Sequence, residues 1–201
     1  MRPTGTAMSI EGFSKKELIS ILEIIEGANV CATERDIGRL LLRAMDLLRA
    51  DYSICGLGKV SCGELKEVVK IINGNYPEDW LDRYTSEQLY RIDPVIKRHA
   101  RFSVTQLWSD IFKTCNDHSS RLLIRQAADF GLRYGVSSGI FLPRREEIGI
   151  FSFAAKKDRF NDRHKRIMDI ITLHLNNALV NMVEEKAVYR VEEPFAADRL
   201  I

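Results

Sequence analysis

The chain has 201 residues, of which 45% are hydrophobic and 29% are charged, and its formal net charge is +2 at pH 7. This composition predicts a globular domain with a sizeable core, without an apolar run long enough to cross a membrane and without a signal peptide. A charge so nearly balanced gives no argument for binding to nucleic acid.

Two helices are predicted to follow a loose leader at residues 1–13. Ser14 and Glu17 have the spacing of a capping box, in which each side chain closes the first helical turn for the other. Apolar residues follow at helical spacing until Gly27, a residue that commonly ends a helix. A second helix is predicted to begin near Thr33, with its apolar residues along one stripe.

Two strands are predicted next, over residues 51–60 and 66–74. Gly56 and Gly58 are two apart, so they lie on the same face of the first strand. Because glycine has no side chain, this spacing predicts open space beside that face.

A segment rich in aromatic residues follows. Pro77 suits the first turn of a helix, in which Trp80 and Tyr84 are four apart and share a face. Asp93 precedes a proline and is suited to cap a short helix that runs to about His99.

The second half of the chain is predicted to hold a long connection containing Trp108, and then a helix from about residue 117 to 130. Residues 134–143 and 148–155 resemble a hairpin with a polar turn, and one long helix covers residues 161–189. The order of elements predicts an α/β fold, an α-β-α sandwich with a central antiparallel sheet like those of GAF and PAS sensor domains.

Catalytic and metal-binding patterns are weak. The histidines at 99, 118, 164 and 174 are scattered, and we expect them at the surface. The cysteines at 31, 55, 62 and 115 lack zinc-site spacing. We therefore predict a cytoplasmic protein with reduced thiols, no metal, no cofactor and no catalytic residues.

Binding of a small molecule is better supported. Residues 76–95 supply an indole N–H, phenol hydroxyls and a carboxylate, and Ser152 lies on an otherwise apolar strand. Two interpretations remain open from the residues alone. Either these groups converge on a pocket, or Trp80 and Tyr84 are core aromatics, Asp93 is a helix cap and Ser152 bonds to the backbone.

The pattern also resembles a known family, the autoinducer-binding domains of LuxR-type quorum-sensing transcription factors, over roughly residues 14–188. The residues that carry the resemblance are Tyr76-Pro77-x-x-Trp80-x-x-x-Tyr84, Asp93-Pro94-Val95, Trp108, Gly131-Leu132-x-x-Gly135-Val136 and Ile148-Gly149-x-x-Ser152-Phe153. The resemblance implies that an N-acyl-homoserine lactone binds between the sheet and the helices of the middle segment.

By this resemblance, Trp80 would donate its indole N–H to the lactone carbonyl, and Asp93 would accept from the amide N–H of the ligand. Tyr76 and Ser152 would donate to the amide carbonyl. The remaining implied contacts are Tyr84 and Trp108 on the lactone ring, Val95 beside them, Gly135 at a close backbone approach, Ser137 on a chain oxygen, and Ile54, Gly56, Ile72 and Ile150 along the acyl tail.

The sequence also departs from the family. No helix-turn-helix pattern follows the long helix, so residues 191–201 are predicted to be a linker or tail, and DNA binding would need a domain that this chain lacks. Leu81 offers no polar group for a 3-oxo ligand. A homodimer is predicted, with its surface on the last helix at Ile170, Ile171, Leu175, Leu179 and Met182, although these residues could equally pack on their own sheet.

Three alternatives remain open at this stage. The chain could sense a different small molecule, it could be a stand-alone truncated regulator that titrates a full-length partner, or it could be an enzyme that degrades the lactone. The absence of a histidine cluster and of a nucleophile motif argues against the enzyme.

Overall fold

The structure is a computed structural model that describes residues 12–191, with side chains described for residues 12–184. Its helices and strands are α1 (Lys15–Asn29), α2 (Glu34–Leu47), β1 (Tyr52–Ser61), β2 (Glu64–Asn73), α3 (Glu78–Ser86), a 3-10 turn (Leu89–Arg91), α4 (Pro94–His99), β3 (Gln106–Leu107), α5 (Trp108–Lys113), α6 (His118–Asp129), β4 (Tyr134–Leu142), β5 (Glu147–Ala155) and α7 (Asp162–Val191). The predicted leader and tail lie outside the described residues, apart from Gly12, Phe13 and Val191.

A five-stranded sheet forms the centre of the domain, in the order β2-β1-β5-β4-β3. Every pair of neighbouring strands is antiparallel. Helices cover both faces of the sheet, so the predicted α/β fold with a central antiparallel sheet is confirmed. None of the helices within residues 12–191 has the length and apolarity that a membrane crossing requires.

Helices α1, α2 and α7 cover one face of the sheet. The predicted capping box of Ser14 with Glu17 is present, and Thr33 with Asp36 forms a second one at the start of α2. The large core cluster lies on this face, and odd-numbered side chains of β5 such as Phe151 project into it. Because side chains alternate between the two faces of a strand, the strand residues of this cluster lie on one face of the sheet.

Helices α3 to α6 cover the other face with a smaller and more aromatic cluster that includes Trp80 and Trp108. Pro77 is the N-cap residue of α3, so the predicted position within the first helical turn is wrong by one residue. Asp93 caps α4 as predicted, and Asp117 caps α6. The cavity described below opens between these helices and the sheet.

The predicted long connection around Trp108 contains regular structure. Strand β3 pairs Gln106 with Ser137 and Leu107 with Val136, and α5 begins directly at Trp108. Hence the chain reaches the edge of the sheet before it turns into the helix.

The apolar side of α7 faces the sheet. Ile171, Leu175, Leu179 and Met182 are at most 1% exposed and belong to the large core cluster, and Ile170 packs against it. The alternative that α7 packs on its own sheet therefore holds for the four buried residues, and the predicted dimer surface is wrong for them, while Ile170 is only partly buried.

Candidate functional site

A cavity of about 130 Å³ lies between the sheet and helices α3 to α6. This is roughly ten times the space that a single water molecule needs, so it exceeds an ordinary packing defect. Its lining is mainly apolar, with a few polar side chains at one end. A concave apolar cavity with convergent polar groups is the usual form of a small-molecule site.

Asp93 is the central polar group of the site. Its Oδ1 accepts the backbone N–H of Val95 at 2.7 Å, which caps α4. Its Oδ2 accepts the Tyr84 hydroxyl at 2.7 Å. A carboxylate has about four acceptor positions, so capping and the Tyr84 bond leave Asp93 able to accept a further donor.

Burial raises the pKa of Asp93, while the bonds from Tyr84 and from the start of α4 partly oppose that rise. The pKa of Tyr84 is raised well above its ordinary value by burial and by the neighbouring carboxylate of Asp93. The Tyr84 hydroxyl therefore keeps its proton at neutral pH and is the hydrogen-bond donor to Asp93 Oδ2.

Several donors of the cavity have no partner among the described residues. The Tyr76 hydroxyl and the Trp108 indole N–H are buried without a hydrogen bond. The side chains of Trp80 and Ser152 line the same cavity, and neither hydroxyl nor indole N–H bonds to another described residue. Buried polar groups are nearly always paired, so the Tyr76 hydroxyl and the Trp108 indole N–H are available to an acceptor that enters the cavity.

Aromatic rings form the wall around these donors. The ring of Trp80 lies 5.9 Å from Tyr84 and 5.4 Å from Phe130, centroid to centroid. Trp108 lies flat against β4, since a Cβ atom on Gly135 would come within 2.4 Å of its ring. Only glycine allows the indole to approach the strand this closely.

The apolar end of the cavity follows alternate positions of β1 and β5. Ile54 pairs with Ser152, and Gly56 pairs with Ile150, so the lining continues along the strands from the polar end. Gly56 and Gly58 both line the cavity. The predicted open space beside them is wrong, because atoms of β2 would lie 2.4 Å from a Cβ added at Gly58 and 3.1 Å from one added at Gly56.

Most predicted site residues lie on this one cavity. They are Ile54, Gly56, Tyr76, Trp80, Tyr84, Asp93, Val95, Trp108, Ile150 and Ser152. The alternatives for Asp93 are both realised, because the same carboxylate caps α4 and lines the cavity. Trp80 and Tyr84 are likewise members of an aromatic cluster and of the cavity wall.

Ile72, Gly135 and Ser137 do not line the cavity. Ile72 pairs with Cys55 and belongs to the core on the opposite face, so its predicted place beside an acyl tail is wrong. Ile71, which pairs with Gly56, lines the cavity instead. Gly135 acts indirectly, by admitting the Trp108 ring.

Ser137 bonds to a histidine. Its hydroxyl lies 2.8 Å from His99 Nε2, and both side chains are buried. Ser137 therefore lies outside the cavity lining with its hydroxyl bonded to His99, and its contact with a ligand chain oxygen stays a prediction. His99 is 1% exposed, against the expected surface position, and burial lowers its pKa to about 4.

Other lining residues escaped the sequence analysis. They include Leu65, Val68, Tyr90, Ile96, Phe112, Leu123, Ile124, Ala127, Leu132 and Ile148. Ile148 was within reach of the pattern, since it is two residues from Ile150 on the same strand face. The α6 residues repeat at helical spacing, but that pattern identifies a buried face and not the presence of a cavity.

Metal chemistry has no visible basis in the described part of the chain. No group of three or more His, Cys, Asp or Glu side chains there could hold a metal ion. The four cysteines are free thiols.

Comparison with known proteins adds independent findings. The family described as "Autoinducer binding domain" matches residues 33–179. The transcriptional activator PhzR of Pseudomonas fluorescens is 33% identical over 116 residues, 57% of this chain and 44% of that protein. The quorum-sensing regulator RhlR of Pseudomonas aeruginosa is 29% identical over 115 residues, 53% of this chain and 45% of that protein. The chain spans about half the length of the curated relatives it matches.

Solved structures share the fold. The N-acylhomoserine lactone dependent LuxR-family factor CepR2 of Burkholderia cenocepacia has a TM-score of 0.67 at 20% identity, covering 87% of this chain and 99% of that one. Escherichia coli SdiA has a TM-score of 0.65 at 22% identity, covering 84% and 69%. A second SdiA structure, in complex with octanoyl-rac-glycerol, has a TM-score of 0.65 at 21% identity, covering 85% and 68%.

Proposed function

This chain belongs to the autoinducer-binding domain family of LuxR-type regulators, and we propose that its own ligand is an N-acyl-homoserine lactone held in the cavity beside Asp93. The family is one of ligand-binding transcriptional regulators, not of enzymes. The function follows from binding and release of the signal, without chemical change to it.

The observation that carries the proposal is the combination of one acceptor with several unpaired donors. An acyl-homoserine lactone presents one amide N–H, an amide carbonyl and a lactone carbonyl. Asp93 accepts the amide N–H, Trp80 donates to the lactone carbonyl, and Tyr76 with Ser152 donates to the amide carbonyl. These assignments give the unpaired Tyr76 hydroxyl an acceptor and use the acceptor positions that remain free on Asp93.

The acyl chain extends from these groups along β1 and β5. Ile54, Gly56 and Ile150 supply apolar contact there, together with Ile71 from β2. Leu81 also lines the cavity and presents no polar atom. We therefore propose that the bound chain is recognised by apolar contact, with no direct bond to Leu81 at its 3-position.

Ligand binding stabilises the fold in this proposal. Without an acceptor, the buried Tyr76 hydroxyl remains unsatisfied, which costs free energy in the empty domain. A ligand that binds only the folded chain adds about 2.7 kcal/mol of stability at a hundredfold excess over its Kd. The signal thereby controls how much of the regulator is folded.

Thermal unfolding with a series of acyl-homoserine lactones tests the proposal. We expect the Tm to rise with ligand concentration, and to rise most for the chain length that fills the apolar end of the cavity. If lactones with short, medium and long acyl chains all leave the Tm unchanged, the lactone proposal is excluded. The domain would then be a sensor of another small molecule.

A non-lactone amphiphile is the second candidate, because the related SdiA has been solved with octanoyl-rac-glycerol. Mass spectrometry of ligand extracted from protein incubated with a mixed pool distinguishes the two. Intact lactone supports the first candidate, and an acylglycerol supports the second. Recovery of hydrolysed lactone in step with protein amount would instead indicate an enzyme.

We also propose that the regulator acts as a homodimer and reaches DNA through a separate domain. The core-facing residues of α7 are buried, so dimerisation needs another surface. Analytical ultracentrifugation with and without ligand measures this directly. A monomer at all concentrations in both states would exclude dimerisation through this domain.

A further inference from the structure

A second concavity, the basic pocket, lies at the turn between β1 and β2. Its volume is about 230 Å³. The charged side chains that line it are Glu64, Lys66, Arg91, Lys97 and Arg101. Four cations and one carboxylate in a single small concavity form an unusually positive surface on a chain of nearly balanced charge.

Most of that positive charge is uncompensated. Lys66 Nζ lies 2.6 Å from Glu64 Oε2, so this pair is neutral overall. The pKa of Glu64 is lowered first by Lys66, and also by the charges of Arg101 and Lys97, which therefore lie near the same carboxylate. Within the described residues, no ion pair engages Arg91, Lys97 or Arg101. Three cations are thus available to a ligand.

The basic pocket adjoins the ligand cavity. Leu65, Tyr90 and Ile96 line both concavities, so the two adjoin at these residues. Leu65 lies against Gly58, where a Cβ atom would be 2.4 Å from its side chain. Gly58 pairs with Ile148, four residues along β5 from Ser152, or about 13 Å at the usual rise per residue. The pocket therefore lies beyond the apolar end of the cavity.

We propose that the basic pocket binds a small anionic group, a carboxylate or phosphate, carried by the distal end of the molecule in the ligand cavity. Arginine binds such anions through two parallel N–H groups, and Arg91 and Arg101 are both free to do so. The proposal rests on the proposed function for the ligand's other end. It selects amphiphiles whose chain ends in an acid over those that end in a methyl group.

Calorimetry with a matched ligand pair tests this. The pair is N-dodecanoyl-homoserine lactone and an analogue of equal chain length that ends in a carboxylate. The test variant combines Arg91→Gln with Arg101→Gln. The control is Arg43→Gln, an exposed arginine of α2 on the opposite face of the sheet.

We expect the double variant to bind the carboxylate-ended ligand roughly tenfold more weakly than wild type, as for partly exposed charge-assisted contacts. Its affinity for the methyl-ended ligand should stay within about twofold of wild type, and Arg43→Gln should change neither. Equal affinities of wild type and double variant for the carboxylate-ended ligand would overturn the proposal and leave the proposed function intact.

Titration with inorganic phosphate alone, at constant ionic strength, separates a free anion from the end of a ligand. Phosphate binding that the double variant loses, with no preference between the two lactones, would assign the pocket to a free anion and overturn the ligand-end assignment. If neither lactone binds, the proposed function fails and the ligand-end assignment fails with it. The phosphate titration then still measures whether the basic pocket binds an anion.

Discussion

Replacing Asp93 by asparagine separates the two roles of this side chain. Asparagine is as good an N-cap residue as aspartate, so its side-chain oxygen can still accept the Val95 N–H and close α4. In the wild type Oδ2 accepts the Tyr84 hydroxyl, and in the variant an NH2 group takes the place of this oxygen. The change therefore keeps the cap but places a donor where the proposed ligand amide also presents a donor.

The size of the effect follows from those contacts. Loss of a hydrogen bond to a charged acceptor costs about 1.5–3 kcal/mol, and the opposed donors leave a buried amide N–H without a partner. We expect the affinity for lactone to fall by roughly 10- to 150-fold. The free energy of unfolding without ligand should change by only about 1 kcal/mol. The cap survives, and a neutral amide replaces a carboxyl group whose pKa is raised by burial.

Calorimetry with the lactone that gives the largest rise in Tm measures the affinity, and urea unfolding measures the stability. Asp117→Asn is the matched control, because Asp117 caps α6 through the Ser120 N–H at 2.8 Å and does not line the cavity. It should leave the affinity unchanged. An affinity of Asp93→Asn within about threefold of wild type would mean that Asp93 is a cap alone.

Other substitutions test other parts of the structure. Trp80→Phe should weaken lactone binding by about 1–3 kcal/mol in calorimetry, but should not weaken binding of an analogue lacking the ring carbonyl; equal losses would show that the indole packs without donating. Gly135→Ala should lower stability by about 1–3 kcal/mol in thermal unfolding, because the added Cβ meets the Trp108 ring, and an unchanged Tm would contradict that contact. Glu17→Gln should cost about 1 kcal/mol at neutral pH, because the bond to Arg163 lowers the Glu17 pKa from 4.5 to about 2. This stabilisation is present above pH 4.5 and is lost as the pH falls towards 2, so an equal difference in urea unfolding at both ends of that range would refute it.

Local chemistry made part of the structure predictable. The capping box of Ser14 and Glu17 needs only residues three apart, and it forms as expected. Asp93 followed by proline likewise predicts the start of α4, and α4 begins there. The predicted site residues of the aromatic segment 76–95 line one cavity. The segment is short, so its helices lie in one layer on the sheet.

The errors arose where the answer depends on partners distant in the chain. Ile71 and Ile72 are identical residues in one strand, and only the pairing of Ile71 with Gly56 assigns it to the cavity face. Strand β3 is two residues long and exists through its pairing with β4, so its own residues carry no strand pattern. The apolar stripe of α7 could not reveal which surface it covers, since a core and an interface use the same residues.

The alternation of β5 between two faces has a consequence for how such domains diverge. Ile150 borders the ligand cavity, whereas its neighbour Phe151 is fully buried in the core on the other side. Substitutions at position 150 can alter the lining of the cavity without adding side-chain atoms to the core beneath α1, α2 and α7. Substitutions at odd-numbered positions meet that core directly. The lining of the cavity can therefore change on one face of β5 while the core on its other face stays the same.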